Sequence, residues 1–180
     1  EEGLAAAFGA GVLPTDKRAT AIIDIGAATT NIAIIAKGTI VTSTSERYGS
    51  NAINDVLATH LRRHRGLQVG EETVEFLKTT FASAFLPDDI TKTTEVRGRD
   101  VQTGSPAAVE ITNGEVYPIV EGIVRKIAEM VRDTLTELRP EVAADIYDRG
   151  VILTGGGALL DGIDKYLRNY INLPVIVSEE

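Results

Sequence analysis

Two apolar runs, Ala19 to Ile25 and Ile32 to Ile35, are separated only by the small and polar residues Gly26 to Asn31. Isoleucine-rich runs this short, parted by so little chain, read as adjacent strands joined by a tight turn. A second turn at Lys37-Gly38 leads to a third β-rich run, Thr39 to Ser45. The first part of the chain is therefore a β-meander, and whatever follows must pack on that sheet.

From Asn51 the period changes. Ile53, Val56, Leu57 and Leu61 recur at helical spacing, and Gly66 closes that helix. Gly70 to Thr73 opens another, with Val74, Leu77, Phe81 and Phe85 on one face and Pro87 at its end. Thr91 to Val96 and Ala107 to Ile111 alternate like the strands of a hairpin around Thr103-Gly104. Thr112 and Glu115 have capping-box spacing and start the longest helix, marked from Val116 to Leu138 and stopped by Pro140. Val151 to Leu153 is a short buried strand. Gly155-Gly156-Gly157 leads into a helix bearing Leu159, Ile163, Tyr166 and Leu167, and Pro174 to Val177 is the closing strand. Leu4 to Ala10 reads as a helix ended by Gly11 and Pro14. The order gives an α/β or α+β class. The middle section, from about residue 50 to 117, has helices and a hairpin of its own and is expected to form a separate subdomain.

Composition narrows the function. There are no cysteines, which excludes disulfide scaffolds and thiolate metal sites, and His60 and His64 alone make a zinc site a poor fit. A formal net charge of −8 argues against a general nucleic-acid binder. No stretch approaches the roughly 20 apolar residues that span a bilayer. The chain opens on Glu1-Glu2, with no basic, apolar leader, and its single methionine is Met130, so it reads as an excised segment.

Four constellations could carry chemistry. In Ile22 to Asn31, Asp24 ends a buried strand and a turn of small residues follows at once. Gly26, Ala27, Ala28 and Thr29 let backbone N–H groups approach an anion, Thr29 and Thr30 add hydroxyls, and Asp24 could hold Mg²⁺ through water. A plain hairpin whose Asp caps backbone amides explains the same residues. Gly155, Gly156 and Gly157 join a strand to a helix start, a geometry that suits a ligand lying across the backbone, or else a close strand–helix turn. Glu75 and Lys78, three apart on a helix, could clamp the ribose or adenine edge of a nucleotide, or form a solvated surface pair. Glu2 at a helix start is a favourable dipole partner, or it orients a water for attack on a phosphate.

Taken together and in this order, these residues resemble the second half of MreB-type bacterial actins, nearly end to end. The resemblance runs from the Glu1 to Gly11 segment, through Asp24-Ile25-Gly26 with Thr29-Thr30, to Gly70 to Thr73 with Glu75 and Lys78. It continues in Glu95 to Asp100 with Thr103-Gly104 and in Ala143 to Ile146, and closes with Arg149-Gly150 and Leu153 to Gly157. It implies a ribonuclease-H-like subdomain over residues 1–49 and 118–180, with an inserted α+β subdomain over 50–117. It also implies ATP/ADP and Mg²⁺ as cofactors and ATP hydrolysis coupled to filament assembly. Asp24 would sit near the metal, Gly26 to Thr29 would wrap the β- and γ-phosphates, and Thr30 would lie close to the attacking water. Glu2 would orient that water, Glu75 and Lys78 would contact the adenosine, and Gly155 to Gly157 would pass beneath it.

The partners implied are other filament subunits, with room for membrane or membrane-protein partners through a first lobe expected to precede Glu1, and no nucleic acid. The expected setting is the cytoplasm, including the inner face of the cell membrane, in a cell-shape or organelle-positioning role. The fragment alone is expected to hold half a site and to be inactive. The sequence departs from the family pattern at Ala27 and Ala28, where two glycines are usual. It departs also at Asn31 in place of an acidic residue, at Gly3 in place of proline, and at Gly49-Ser50-Asn51 in place of Gly-Gly-Asp. Those changes bear on hydrolysis more than on fold. A non-filamentous ATPase of the same fold, of sugar-kinase or chaperone type, or an inactive adaptor, is the alternative.

Overall fold

The structure is a computed structural model that describes residues 15–178 and, before them, Ala5, Gly9, Gly11 and Leu13. Glu2, Gly3 and most of the helix expected over Leu4 to Ala10 lie outside the described residues. The chain divides into two compact units. The first takes residues 1–50, 125–159 and 164–180, and the second takes 51–124 and 160–163.

The first unit is organised by a five-stranded sheet in the order β3-β2-β1-β7-β8. β1 (Thr20–Ile25), β2 (Thr30–Ala36) and β3 (Thr39–Glu46) form the meander, antiparallel throughout. β7 (Val151–Thr154) joins β1 in parallel, and β8 (Val175–Val177) joins β7 in parallel. The β2–β3 turn is the two-residue Lys37-Gly38, both with positive φ (53° and 70°), the backbone that suits the right-handed twist of a hairpin. One sheet face carries Ile22, Ala33 and Ile35, with Ile40 and Ile152 packed against them. The alternate residues Ile23, Ile25, Ile32, Ile34 and Leu153 are also buried. With both faces covered, the strands read as continuous apolar runs rather than as alternation.

The longest helix, α3, spans Asn113–Thr136, and the Thr112 hydroxyl accepts the Glu115 N–H at 3.1 Å, as the capping spacing predicts. Its residues up to Val124 belong to the second unit, so the boundary expected at 117/118 falls inside the helix. The Arg125–Thr136 part buries Ile127, Ala128 and Val131.

Pro140 does not follow a long helix into loop; it starts another, α4 (Pro140–Arg149). Proline is well placed at a first helical turn, because its missing N–H would have no partner there. The Asp145 carboxylate accepts the Ala19 N–H at 2.9 Å and Arg149 pairs with Asp16, so α4 pins the entry to β1. After Gly155 the chain makes a single 3-10 turn, Gly156–Leu159, and the α-helix α5 begins only at Ile163 (Ile163–Ile171). Leu159, expected on that helix's apolar face, is 83% exposed.

The second unit contains α1 (Ser50–His64, of which Ser50 groups with the first unit) and α2 (Glu71–Thr80), with the start of α3. Its three-stranded antiparallel sheet has the order β4 (Leu67–Gln68), β5 (Thr93–Asp100) and β6 (Pro106–Thr112). Ile53, Leu57 and Leu61 on α1, Val74 and Leu77 on α2, Val116 and Val120 on α3, and Leu67, Val96 and Ile111 on the sheet are among its buried side chains. Helix α2 stops at Thr80, well before Pro87, so Phe85 lies beyond it and is half exposed.

Candidate functional site

The β1–β2 hairpin closes with the Gly26 N–H donating to the Thr29 carbonyl at 2.9 Å, leaving Ala27 and Ala28 exposed at the tip. Among the described residues the positive-φ non-glycines are Lys37 and Asn172, so neither alanine needs glycine's conformational freedom. Replacing a Gly-Gly tip by Ala-Ala is compatible with this turn.

Register decides which side chains share a face. Asp24 pairs with Asn31 on β2 and with Thr154 on β7, and these three belong to one face. Thr30 pairs with Ile25 and belongs to the other. Thr30 is fully buried, and its hydroxyl donates to the Tyr48 carbonyl at 2.7 Å. The structure thus separates Thr30 from Asp24.

Asp24 and the glycine turn come together. Gly155 has φ +86°, and a Cβ there would overlap the Asp24 carboxylate and lie 2.5 Å from the Ile25 carbonyl oxygen. A Cβ on Gly157 would overlap the Ile25 side chain, 2.8 Å from its Cβ atom. Gly156 has open space. Two of the three glycines are thus required by close approach of backbone to the end of β1, while the middle one is free. The turn is not the start of an α-helix, so the dipole argument for anion binding does not apply to it.

Gly49, noted in the sequence only within the Gly49-Ser50-Asn51 departure from the family pattern, also packs against the hairpin tip. A Cβ there would lie 2.7 Å from the Ala27 carbonyl oxygen and overlap that of Gly26. The Ser50 N–H donates to the Gly26 carbonyl at 2.9 Å. The Gly49-Ser50 step therefore backs the hairpin tip directly. Its signal in the sequence was a glycine just before a helix, with nothing to say what it touched.

Glu75 and Lys78 meet on α2, Oε2 to Nζ 2.8 Å, and the Asn54 amide of α1 donates to the same oxygen at 2.9 Å. Those two donors, Lys78 first, hold the Glu75 carboxyl below its ordinary range. The Lys78 side chain is only 10% exposed, whereas that of Glu75 is 51% exposed, so the pair joins a buried ammonium to a solvated carboxylate. Asn54, Gly70, Glu71, Val74 and Glu75 help to line a cleft of about 710 Å³ in the second unit. Among the described residues no group of three or more His, Cys, Asp or Glu side chains converges as a metal-binding cluster. No helix among them is long and apolar enough to cross a membrane.

The meander continued by parallel strands is an actin-like fold, shared with solved structures of MreB5 and MamK. MreB5 of Spiroplasma citri bound to AMPPNP superposes with a TM-score of 0.92 at 32% identity, over 99% of this chain and 53% of that one. The MamK double helical filament gives a TM-score of 0.73 at 22% identity, over 100% of this chain and 54% of that one, a likeness of fold alone.

The MreB/Mbl protein family model matches residues 1–180, and the chain belongs to that family. Cell shape-determining protein MreB of Escherichia coli (strain K12) is 36% identical over 180 residues, 100% of this chain and 52% of that protein. Cell shape-determining protein Mbl of Bacillus subtilis (strain 168) is 37% identical over 179 residues, 99% of this chain and 54% of that protein. The chain spans about half the length of the curated relatives it matches.

Proposed function

We propose that this chain is one nucleotide-binding lobe of an actin that binds and hydrolyses ATP and polymerises into cytoskeletal filaments. A further lobe, corresponding to the half of its relatives that it does not match, completes the site. The observation that carries the proposal is the meeting of Asp24, the Gly26 to Thr29 turn and the Gly155 to Gly157 turn at the carboxyl ends of β1 and β7. Ligands of α/β sheets bind outside that end of the strands. The missing side chains at Gly155 and Gly157 let main chain approach main chain there.

In this reading the amides of the exposed tip, Ala27 to Thr29, donate to the phosphates. Gly155 to Gly157 lie under the adenosine, and Glu75 and Lys78 contact it. The Asp24 carboxylate fits Mg²⁺, which keeps most of its waters and takes one or two protein oxygens. Bound there, the metal would neutralise phosphate charge. Asp24 would hold it from this lobe. Glu2 orients the attacking water. Thr30 serves chiefly by tying the hairpin to Tyr48, because its hydroxyl is fully buried and already donates to the Tyr48 carbonyl.

The experiment is made on the full-length protein. Asp24→Ala should weaken Mg·ATP binding by about tenfold or more, as loss of a metal-orienting group does. Glu2→Ala should bind ATP normally and lose about two to four powers of ten in turnover. Undiminished Mg·ATP binding by Asp24→Ala would overturn the phosphate-site reading. ATP-dependent sedimentation separates the filament from a kinase, chaperone or adaptor on the same fold.

A further inference from the structure

The two edges of the five-stranded sheet differ. β8 has three residues, whereas β3 has eight and carries neither proline nor lysine. Among the described residues β3 pairs with β2 alone. The one register irregularity lies between Ile34 and Ile35, near the turn and away from the Thr42–Glu46 end. Long edges are usually blunted by proline, lysine or bulges, because an open row of N–H and C=O groups templates another strand.

Beside that edge lies a groove of about 340 Å³. Its β3 side is Thr44 and Glu46, followed by Tyr48, and its other wall is α3 with Glu129 and Asp133, continued by Glu137 just beyond the helix end. The Thr44 and Thr134 hydroxyls, 3.1 Å apart, close its floor. Four carboxylates, Glu46 on the β3 side and Glu129, Asp133 and Glu137 opposite, line the groove with one cation, Lys126. Asp133 also pairs with the exposed Arg132, an exchangeable surface contact. Burial first, then the carboxylates of Glu46, Glu129 and Asp133, push the Tyr48 phenol up, so the groove's field is negative.

Spacing identifies the occupant. Glu129 and Asp133 lie four residues apart on α3, about 6 Å along its axis, and Glu137 continues the row just past the helix end. Alternate residues of a strand recur every ~6.6 Å. We propose that the Thr42–Glu46 edge of β3 takes an extended partner segment bearing Lys or Arg at alternate positions. The segment adds as a sixth strand, with its cations directed at the α3 carboxylates and the Tyr48 ring. Main-chain bonds supply affinity and the alternate side chains supply choice, the mode of β-augmentation. A second copy of this chain does not supply the segment from its described strands. Arg97 and Arg99 alternate on β5, but β5 is paired on both edges, and Arg62 and Arg63 are helical.

The test uses the full-length protein and two dye-labelled, end-blocked octapeptides, one alternating Val and Lys, the other with the four Lys in a block. Fluorescence polarisation should show the alternating peptide binding about tenfold tighter. Amide exchange over Thr42–Glu46 should slow on its addition. The triple variant Glu129→Gln, Asp133→Asn, Glu137→Gln should lose about tenfold of that affinity, the combined scale of three exposed ion pairs. Equal binding of both peptides, unchanged exchange in β3, or undiminished affinity in a folded triple variant would each overturn the proposal. Should circular dichroism show that variant unfolded, the peptide pair and the exchange measurement on the unmodified protein still decide.

Discussion

Replacing Gly155 with alanine puts a methyl where the Asp24 carboxylate already sits, 2.5 Å from the Ile25 carbonyl oxygen. Two costs add. A left-handed backbone (φ +86°) costs an L-residue about 1–2 kcal/mol. Forcing an extra carbon into packed main chain costs a further ~1–3 kcal/mol. The sum, about 3 kcal/mol near its middle, corresponds to roughly 6–12 °C in melting temperature for a chain of this size. Gly156→Ala is the matched control: no atom lies within 4 Å of its Cβ position, and its φ is not in the left-handed range. Relief of unfolded-chain entropy should leave that variant neutral or up to about 1 kcal/mol more stable. Thermal melts of both variants, followed by circular dichroism, make the comparison. In the full-length protein Gly155→Ala should also weaken Mg·ATP binding, because the displaced group is the Asp24 carboxylate. If Gly155→Ala melts within about 2 °C of the parent, or Gly156→Ala is as harmful, the close approach of the turn to β1 is wrong.

Thr30→Val keeps the side-chain shape and removes the donor to the part-buried Tyr48 carbonyl, so it should cost about 0.5–1.5 kcal/mol in a urea titration; no loss of stability would return the hydroxyl to a purely catalytic role. The Asp16 carboxyl is held below its ordinary range by Arg149 first and by the Arg18 N–H next. Its contribution is therefore present above the ordinary carboxylate range and lost as pH falls through the lowered value. Asp16→Asn should be less stable than the parent at neutral pH, with the gap closing in acid; a pH-independent gap in melting temperature would contradict that linkage. Gly49→Ala should destabilise the hairpin tip, read as faster amide exchange at Ala27 to Thr29, and unchanged exchange there would show that the Gly49-Ser50 step does not back the turn.

The meander and α3 were legible because their signals are local: isoleucine runs broken by two short turns, and an apolar period sustained from Val116 onward. Helix α4 was not. It buries only Val142 and Ile146, and Pro140 carries opposite meanings at a helix end and a helix start. β4 has two residues, below any periodic signal, and exists because Leu67 and Gln68 pair with β5. Leu159 looked like a helix position by spacing alone, and the preceding glycine turn leaves it exposed. At the candidate site, residue identity showed Asp24 and both small-residue turns. Which glycines are indispensable, and that Thr30 and Asp24 belong to opposite faces, depends on register and on main-chain approach, neither of which composition encodes.

The strand pairing of the first unit has a consequence for synthesis. β1 is translated well before its parallel partner β7, which lies more than a hundred residues downstream, and β8 ends at Val177. The second unit draws on one nearly continuous stretch, 51–124, closed by a four-residue segment. Contacts between distant parts of a chain form late, because the loop between them must first be closed. On the ribosome the inserted unit can therefore begin to order while the first unit is still a meander with β1 exposed on one edge. Asp24 has no glycine turn beside it until β7 docks. Nascent chains of this kind thus carry an open hydrophobic strand, Ala21 to Ile25, until β7 is made, and the wait for β7 is the interval in which that strand most needs a chaperone.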